Sequence, residues 1–118
     1  MIRQIIFHKN YFVDFFENQN DKVQEKIDFV LDMIAHIERV PTQFFKHMEG
    51  TDGLYEIRVK YGTDIFRIFC CFDQGKLVIL FNGFQKKTDK TPKKEIDRAI
   101  KLKQEYFNEK TKLLKNGK

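Results

Sequence analysis

The sequence predicts a single α+β domain: an N-terminal strand, a helical hairpin, a three-stranded antiparallel meander and a C-terminal helix. Three observations predict it. Apolar residues recur at helical spacing between residues 10 and 40. Alternating and aromatic-rich runs fill residues 54–81. A Thr-Pro pair at Thr91 and Pro92 then opens a second amphipathic stretch. At 118 residues the chain has the size of one domain with one core, and 42% hydrophobic residues supply that core without disulfides. Residues 1–118 are read as one unit, with about 110–118 expected to fray.

Each element has its own signal. Ile2–Phe7, "IRQIIF", is a short β-branched strand. Asn10 is placed to cap a helix through about Phe16, with Tyr11, Phe12, Phe15 and Phe16 as apolar contacts. A second helix is expected from Asp21, with Gln24 completing a weak capping box. Val23, Ile27, Val30, Leu31 and Ile34 follow helical spacing, and Pro41 ends the helix by Val40. Residues 42–53 read as a connection with turn chemistry in "GTDG". Strands are expected at Leu54–Tyr61, Ile65–Phe72 and Lys76–Phe81, joined by "YGTD" and "DQG". Gly83 reads as a break. Thr91 at the N-cap and Pro92 at the first helical position start the last helix, which carries Ile96, Ala99, Ile100, Leu102 and Phe107 to about residue 109. The helices are expected to cover one sheet face and leave the other free.

Several function classes find no support. No run approaches the ~20 apolar residues of a membrane span, and "MIRQIIFHKN" lacks the pattern of a secretory signal, so a cytoplasmic protein is expected. Cys70 and Cys71 are strand neighbours whose side chains point to opposite faces, so they read as two small apolar residues. His8, His36 and His47 are scattered and read as surface or structural, with His47 nearest the charged strand. No metal-ligand spacing, phosphate-cradling glycine loop or activated Ser or Cys occurs, and no cofactor or metal is expected.

The charge is informative in its placement. From Phe84 onward there are 12 Lys and Arg against 5 Asp and Glu, whereas residues 1–83 hold 10 and 12. A basic C-terminal third suits a polyanion, nucleic acid first, or else a solvated helix. Within the meander, Glu56, Arg58 and Lys60 alternate along one strand face, and Arg67 interrupts the most apolar run, "IFRIFCCF". A cation there is costly unless an anion meets it. Either a substrate phosphate or a neighbouring carboxylate, Glu56 or Asp64, is that anion, or the Arg67 side chain snorkels to the sheet edge. With Lys86 and Lys87 beyond the third meander strand, four or five cations converge on one or two phosphates. Such a site has one metal-free reaction open to it. RNA carries its own nucleophile, and fixed cations stabilise the charged phosphorane formed when the 2′-hydroxyl attacks.

"GLYEIRVKYGTDIFRIFCCF" followed by "LVILFNGFQKKTDKTPKKEIDRAIKLKQEY" resembles the RelE/ParE superfamily of toxins of type II toxin–antitoxin systems, nearest the HigB-like, phage-derived branch. The resemblance spans about residues 3–110. It implies a RelE-like fold, cleavage of mRNA in the ribosomal A site to a 2′,3′-cyclic phosphate, and a helix-turn-helix antitoxin as partner. By position it implies catalytic roles for Arg58, Arg67 and Lys87 and RNA contacts from Lys60 and Lys86. Glu56 stands at a position that is basic in RelE itself, and is a base, an ion-pair partner or neither. The tyrosine that RelE places after the last strand is missing, which leaves Phe84 or Tyr61 to stack on a base. Two other readings share the fold: a ParE-like inhibitor of DNA gyrase, and a non-enzymatic nucleic-acid-binding module working through the basic helix.

Overall fold

The computed structural model describes residues 1–116. Its elements are β1 (Gln4–Phe7), α1 (Tyr11–Glu17), α2 (Asp21–His36), β2 (Phe45–His47), β3 (Leu54–Tyr61), β4 (Asp64–Asp73), β5 (Leu77–Lys86) and α3 (Lys93–Asn116). The five strands form one mixed sheet in the order β1-β5-β4-β3-β2. β3, β4 and β5 are the expected meander, and β1 joins β5 in parallel. β2 falls in residues 42–53, the stretch with the sequence signature of a connection. Its three residues pair with Ile57, Glu56 and Tyr55 of β3. A three-residue edge strand is too short to show periodicity, so its pairing partner creates it.

The helices do not share one face. Phe12 and Phe15 of α1, with Val23, Ile27, Val30 and Ile34 of α2, pack on Ile57, Val59, Phe66, Ile68, Cys70, Val78 and Leu80. Ala99 and Leu102 of α3 pack on the opposite face against Leu54, Phe69, Cys71, Ile79 and Phe81. Two-sided cover is why β4 and β5 are apolar on both faces. The alternation of β3 has the same origin. Leu54 lies under α3, while Glu56, Arg58 and Lys60 continue that face past the covered part.

Boundaries moved where side chains found other partners. Asn10 makes no side-chain cap to α1. Asn20, not Asp21, caps α2 by accepting from the Val23 amide at 3.0 Å, and Gln24 turns back to donate to the Phe16 carbonyl. α2 stops at His36 rather than near Val40, because Arg3 donates to the carbonyls of Ile34, Ile37 and Glu38 and closes its C-terminal end. Gly83 does not break β5. It lies inside the strand beyond a register shift, where a Cβ would stand 2.5 Å from the Phe15 ring. The glycine is what lets α1 approach the sheet.

α3 also runs through Asn116 instead of ending near residue 109. Its residues past 109 are mostly Lys and Leu, good helix formers. Lys110 is held at 2.8 Å from the buried Asp73, which also accepts from the Tyr106 hydroxyl at 2.7 Å. Residues 117 and 118 of the expected frayed end lie outside the described residues. Among the described residues no helix is long and apolar enough to cross a membrane.

Candidate functional site

Strand pairing turns the scattered cations into a block. Arg58 of β3 stands opposite Arg67 of β4, which stands opposite Phe84 of β5. One row further, Lys60 stands opposite Ile65, which stands opposite Lys86. The two rows share a face, with neighbours across strands ~5 Å apart and rows ~7 Å apart. Arg58, Arg67, Lys60 and Lys86 thus occupy a patch no larger than a dinucleotide, at the end of the sheet face that α3 leaves open.

Glu56 organises the block. Its carboxylate is buried and accepts from Arg58 Nε at 2.8 Å. The Thr91 hydroxyl donates to its other oxygen at 3.3 Å. This contact replaces the expected helix cap: Thr91 points to Glu56, and the first turn of α3 closes on the Pro92 carbonyl. Arg67 Nε lies 3.2 Å from the same Glu56 oxygen as Arg58, but out of line for a hydrogen bond, so this buried N–H has no acceptor. Another Arg67 nitrogen donates to the Phe66 carbonyl. Burial pushes the Arg67 pKa down, Glu56 pulls it back up, and the like charge of Arg58 lowers it. An arginine keeps its proton under such a shift. Two guanidinium groups against one carboxylate leave a surplus positive charge at the surface.

Of the two carboxylates weighed as partners of Arg67, Glu56 is the one that reaches it, while Asp64 accepts from the Gln85 amide. Both Glu56 oxygens are engaged, one by the arginines and one by Thr91. Lys60 is exposed and Lys86 half-exposed, both free to meet an anion. Lys87 is the first residue after β5 and is exposed. Phe84 packs on Phe69 with ring centroids 5.6 Å apart and belongs to the core under α3. Tyr61 is exposed, but alternation along β3 places it on the face of Val59, opposite to Arg58 and Lys60.

The structure adds residues that the sequence did not single out. Lys46 of β2 stands directly opposite Glu56. With His47, Lys86, Lys90 and Thr91 it lines a hollow of about 380 Å³ between β2 and the start of α3. His47 was the histidine nearest the charged strand, and its ring packs on Tyr55 at the rim. His8 is structural: it is buried and bonded to Glu105 of α3 at 2.7 Å. Cys70 and Cys71 are buried on opposite faces, and burial raises both thiol pKa values, that of Cys71 to about 11. Neither is an accessible nucleophile.

Residues 14–104 match the family "Phage derived protein Gp49-like (DUF891)". The match covers well over half of the chain, and the chain belongs to that family. Among solved structures it is similar to the RelE–RelB complex of the archaeon Pyrococcus horikoshii OT3, with a TM-score of 0.54 and 19% identity over 77% of this chain and 100% of the other. At that identity the likeness speaks for the fold, which is RelE-like. No curated protein matches the sequence. Family and fold together define a toxin of the RelE superfamily.

Proposed function

We propose that the protein is the toxin of a type II toxin–antitoxin pair, nearest the HigB-like branch, and acts in the cytoplasm as a metal-independent endoribonuclease on mRNA in the ribosomal A site. The observation that carries the reading is the block of four cations in two adjacent cross-strand rows, with Arg58, Lys60 and Lys86 reaching solvent above the buried Arg67 and Glu56. A phosphodiester set on this block meets the fork of Arg58 and the point charges of Lys60 and Lys86. Arg67 supplies charge from below, held by Glu56.

The reaction moves one proton off the 2′-hydroxyl and one onto the leaving group. The 2′-oxygen bonds to phosphorus, the bond to the 5′-oxygen breaks, and the products are a 2′,3′-cyclic phosphate and a 5′-hydroxyl. Negative charge peaks on the non-bridging oxygens in between, and fixed cations stabilise that state more than the substrate. Arg58, Arg67 and Lys87 are assigned to this charge, and Lys60 and Lys86 to phosphate binding. Glu56 positions Arg58 and balances Arg67. The partner is an antitoxin, of helix-turn-helix type in this branch. The structural neighbour was itself solved as a complex of RelE with RelB.

Induction in growing cells separates this reading from gyrase inhibition. Growth arrest should come with cuts inside translated mRNAs and without a DNA-damage response, and Arg58→Ala should relieve both arrest and cuts. Arrest with a DNA-damage response and intact mRNA would move the protein to the gyrase-inhibitor class.

A further inference from the structure

A second cavity, of about 470 Å³, opens at the edge of the sheet where β2 has ended. It is within the ~300–1,000 Å³ range of small-ligand sites. Four cations line it: Lys26 of α2, Arg58, Lys60 and Arg67. No acidic residue does, among the described residues. The hollow beside β2 is different, since Glu49, Glu56 and Asp89 line it along with its lysines. The cavity also has an apolar wall in Phe44, Val59 and Ile65 and an amide in Gln43. Gln43 sits in a fixed turn, closed by the Phe44 and Phe45 amides donating to the Pro41 carbonyl.

The backbone at this edge has free hydrogen-bonding groups. The Arg58 amide donates outward to the Phe44 carbonyl at 2.8 Å, and there the edge pairing stops. Two residues on, the Lys60 amide and carbonyl point the same way and face the cavity. An open strand edge next to an apolar wall would also take a peptide strand. Four cations against one carboxylate, Glu56, which reaches Arg58 and Arg67 from outside the cavity, favour a phosphate-bearing ligand instead. Arg58 borders both this cavity and the hollow by Glu56, so one RNA strand reaches both.

We infer that the cavity at the β3 edge is a nucleotide subsite that holds the residue next to the cut: Lys26, Arg58 and Lys60 take the phosphate, Phe44 faces the base, and Gln43 with the Lys60 backbone reads the base edge. It rests on the reading of this face as an RNA-cutting site. It also assigns base recognition to residues of the α2–β2 connection, because neither Phe84 nor Tyr61 lines this cavity.

The test has two arms. In the first, the full-length protein is titrated with adenosine and guanosine monophosphates, with inorganic phosphate and with an unphosphorylated nucleoside, and backbone amides are followed by NMR. A nucleotide should shift residues 43–44 and 58–62 and bind more tightly than phosphate or nucleoside. Lys26→Gln should weaken it about ten-fold, the weight of one charge-assisted contact. In the second arm, cut sites on ribosome-bound mRNA are compared for wild type and Gln43→Ala. The base distribution beside the cut should change. If the wild type cleaves, but Gln43→Ala leaves the distribution unchanged and nucleotides do not shift these amides, the subsite is refuted and the nuclease reading stands. If nucleotides bind here but no mRNA is cut, the nuclease reading fails and with it the placement beside a cut, leaving a nucleotide-binding pocket. Shifts at this edge with an extended peptide but not with nucleotides would overturn it in favour of strand addition.

Discussion

Replacing Glu56 by Gln tests the electrostatics of the site without changing its shape. The amide keeps an oxygen for Arg58 or Thr91, and only the charge is lost. Arg67 then lies buried beside Arg58 with no anion near it. Removing one partner of a fully buried pair costs ~3–5 kcal/mol. Arg58 is a third exposed, so solvent screens its share. A loss of about 2 kcal/mol is the expected outcome, the scale of a hydrogen bond to a charged group. With an m-value of about 1.5 kcal/mol/M, the urea midpoint should fall by roughly 1.3 M. The double variant Glu56→Gln/Arg67→Met should recover about half of that loss, because no uncompensated charge remains buried. A midpoint within about 0.3 M of wild type for Glu56→Gln would refute the reasoning, since the pair would then carry no net stability.

Other outcomes follow from single contacts. Gly83→Ala forces a Cβ onto the Phe15 ring and should destabilise by about 1–3 kcal/mol in the same urea assay. Asp73 is held below the ordinary carboxylate range, chiefly by Lys110 and further by Tyr106, against its burial. Its contribution is therefore present above the unfolded value and lost as pH falls through the lowered folded one. Asp73→Asn should flatten the acid limb of a stability-versus-pH curve and leave its shape near neutrality unchanged. Cys70 and Cys71 should resist a thiol reagent in native buffer at pH 8 and react together in denaturant; rapid native labelling would contradict their burial.

The legible part of the molecule is the part written in local patterns. The β3–β5 meander showed itself through alternation and turns such as "DQG", where Gln74 and Gly75 adopt positive φ. α2 showed itself through Val23, Ile27, Val30 and Ile34, all buried. Long-range choices were not legible. Arg3 closing α2, Thr91 turning to Glu56, and Lys110 reaching Asp73 join residues more than 30 apart in the chain. Placing α3 on the second face needed packing, although two-sided apolar strands hinted at it. Within the site, Arg58, Lys60 and Arg67 were visible as charges out of place on strands. Lys46 was not, because β2 exists only through its pairing with β3. Gln43, Phe44 and Lys26 had no signal at all, since two segments, α2 and the α2–β2 connection, bring them to a cavity beside β3 and β4.

The most direct measurement is primer extension on mRNA carried by programmed ribosomes, with purified wild type beside Arg58→Ala and Lys86→Ala, followed by analysis of the cut ends. The account predicts A-site cuts with 2′,3′-cyclic phosphate ends from the wild type, unaffected by a chelator, and loss of at least about a hundred-fold in the folded Arg58→Ala protein. Intact mRNA with a folded wild type that arrests growth would contradict it.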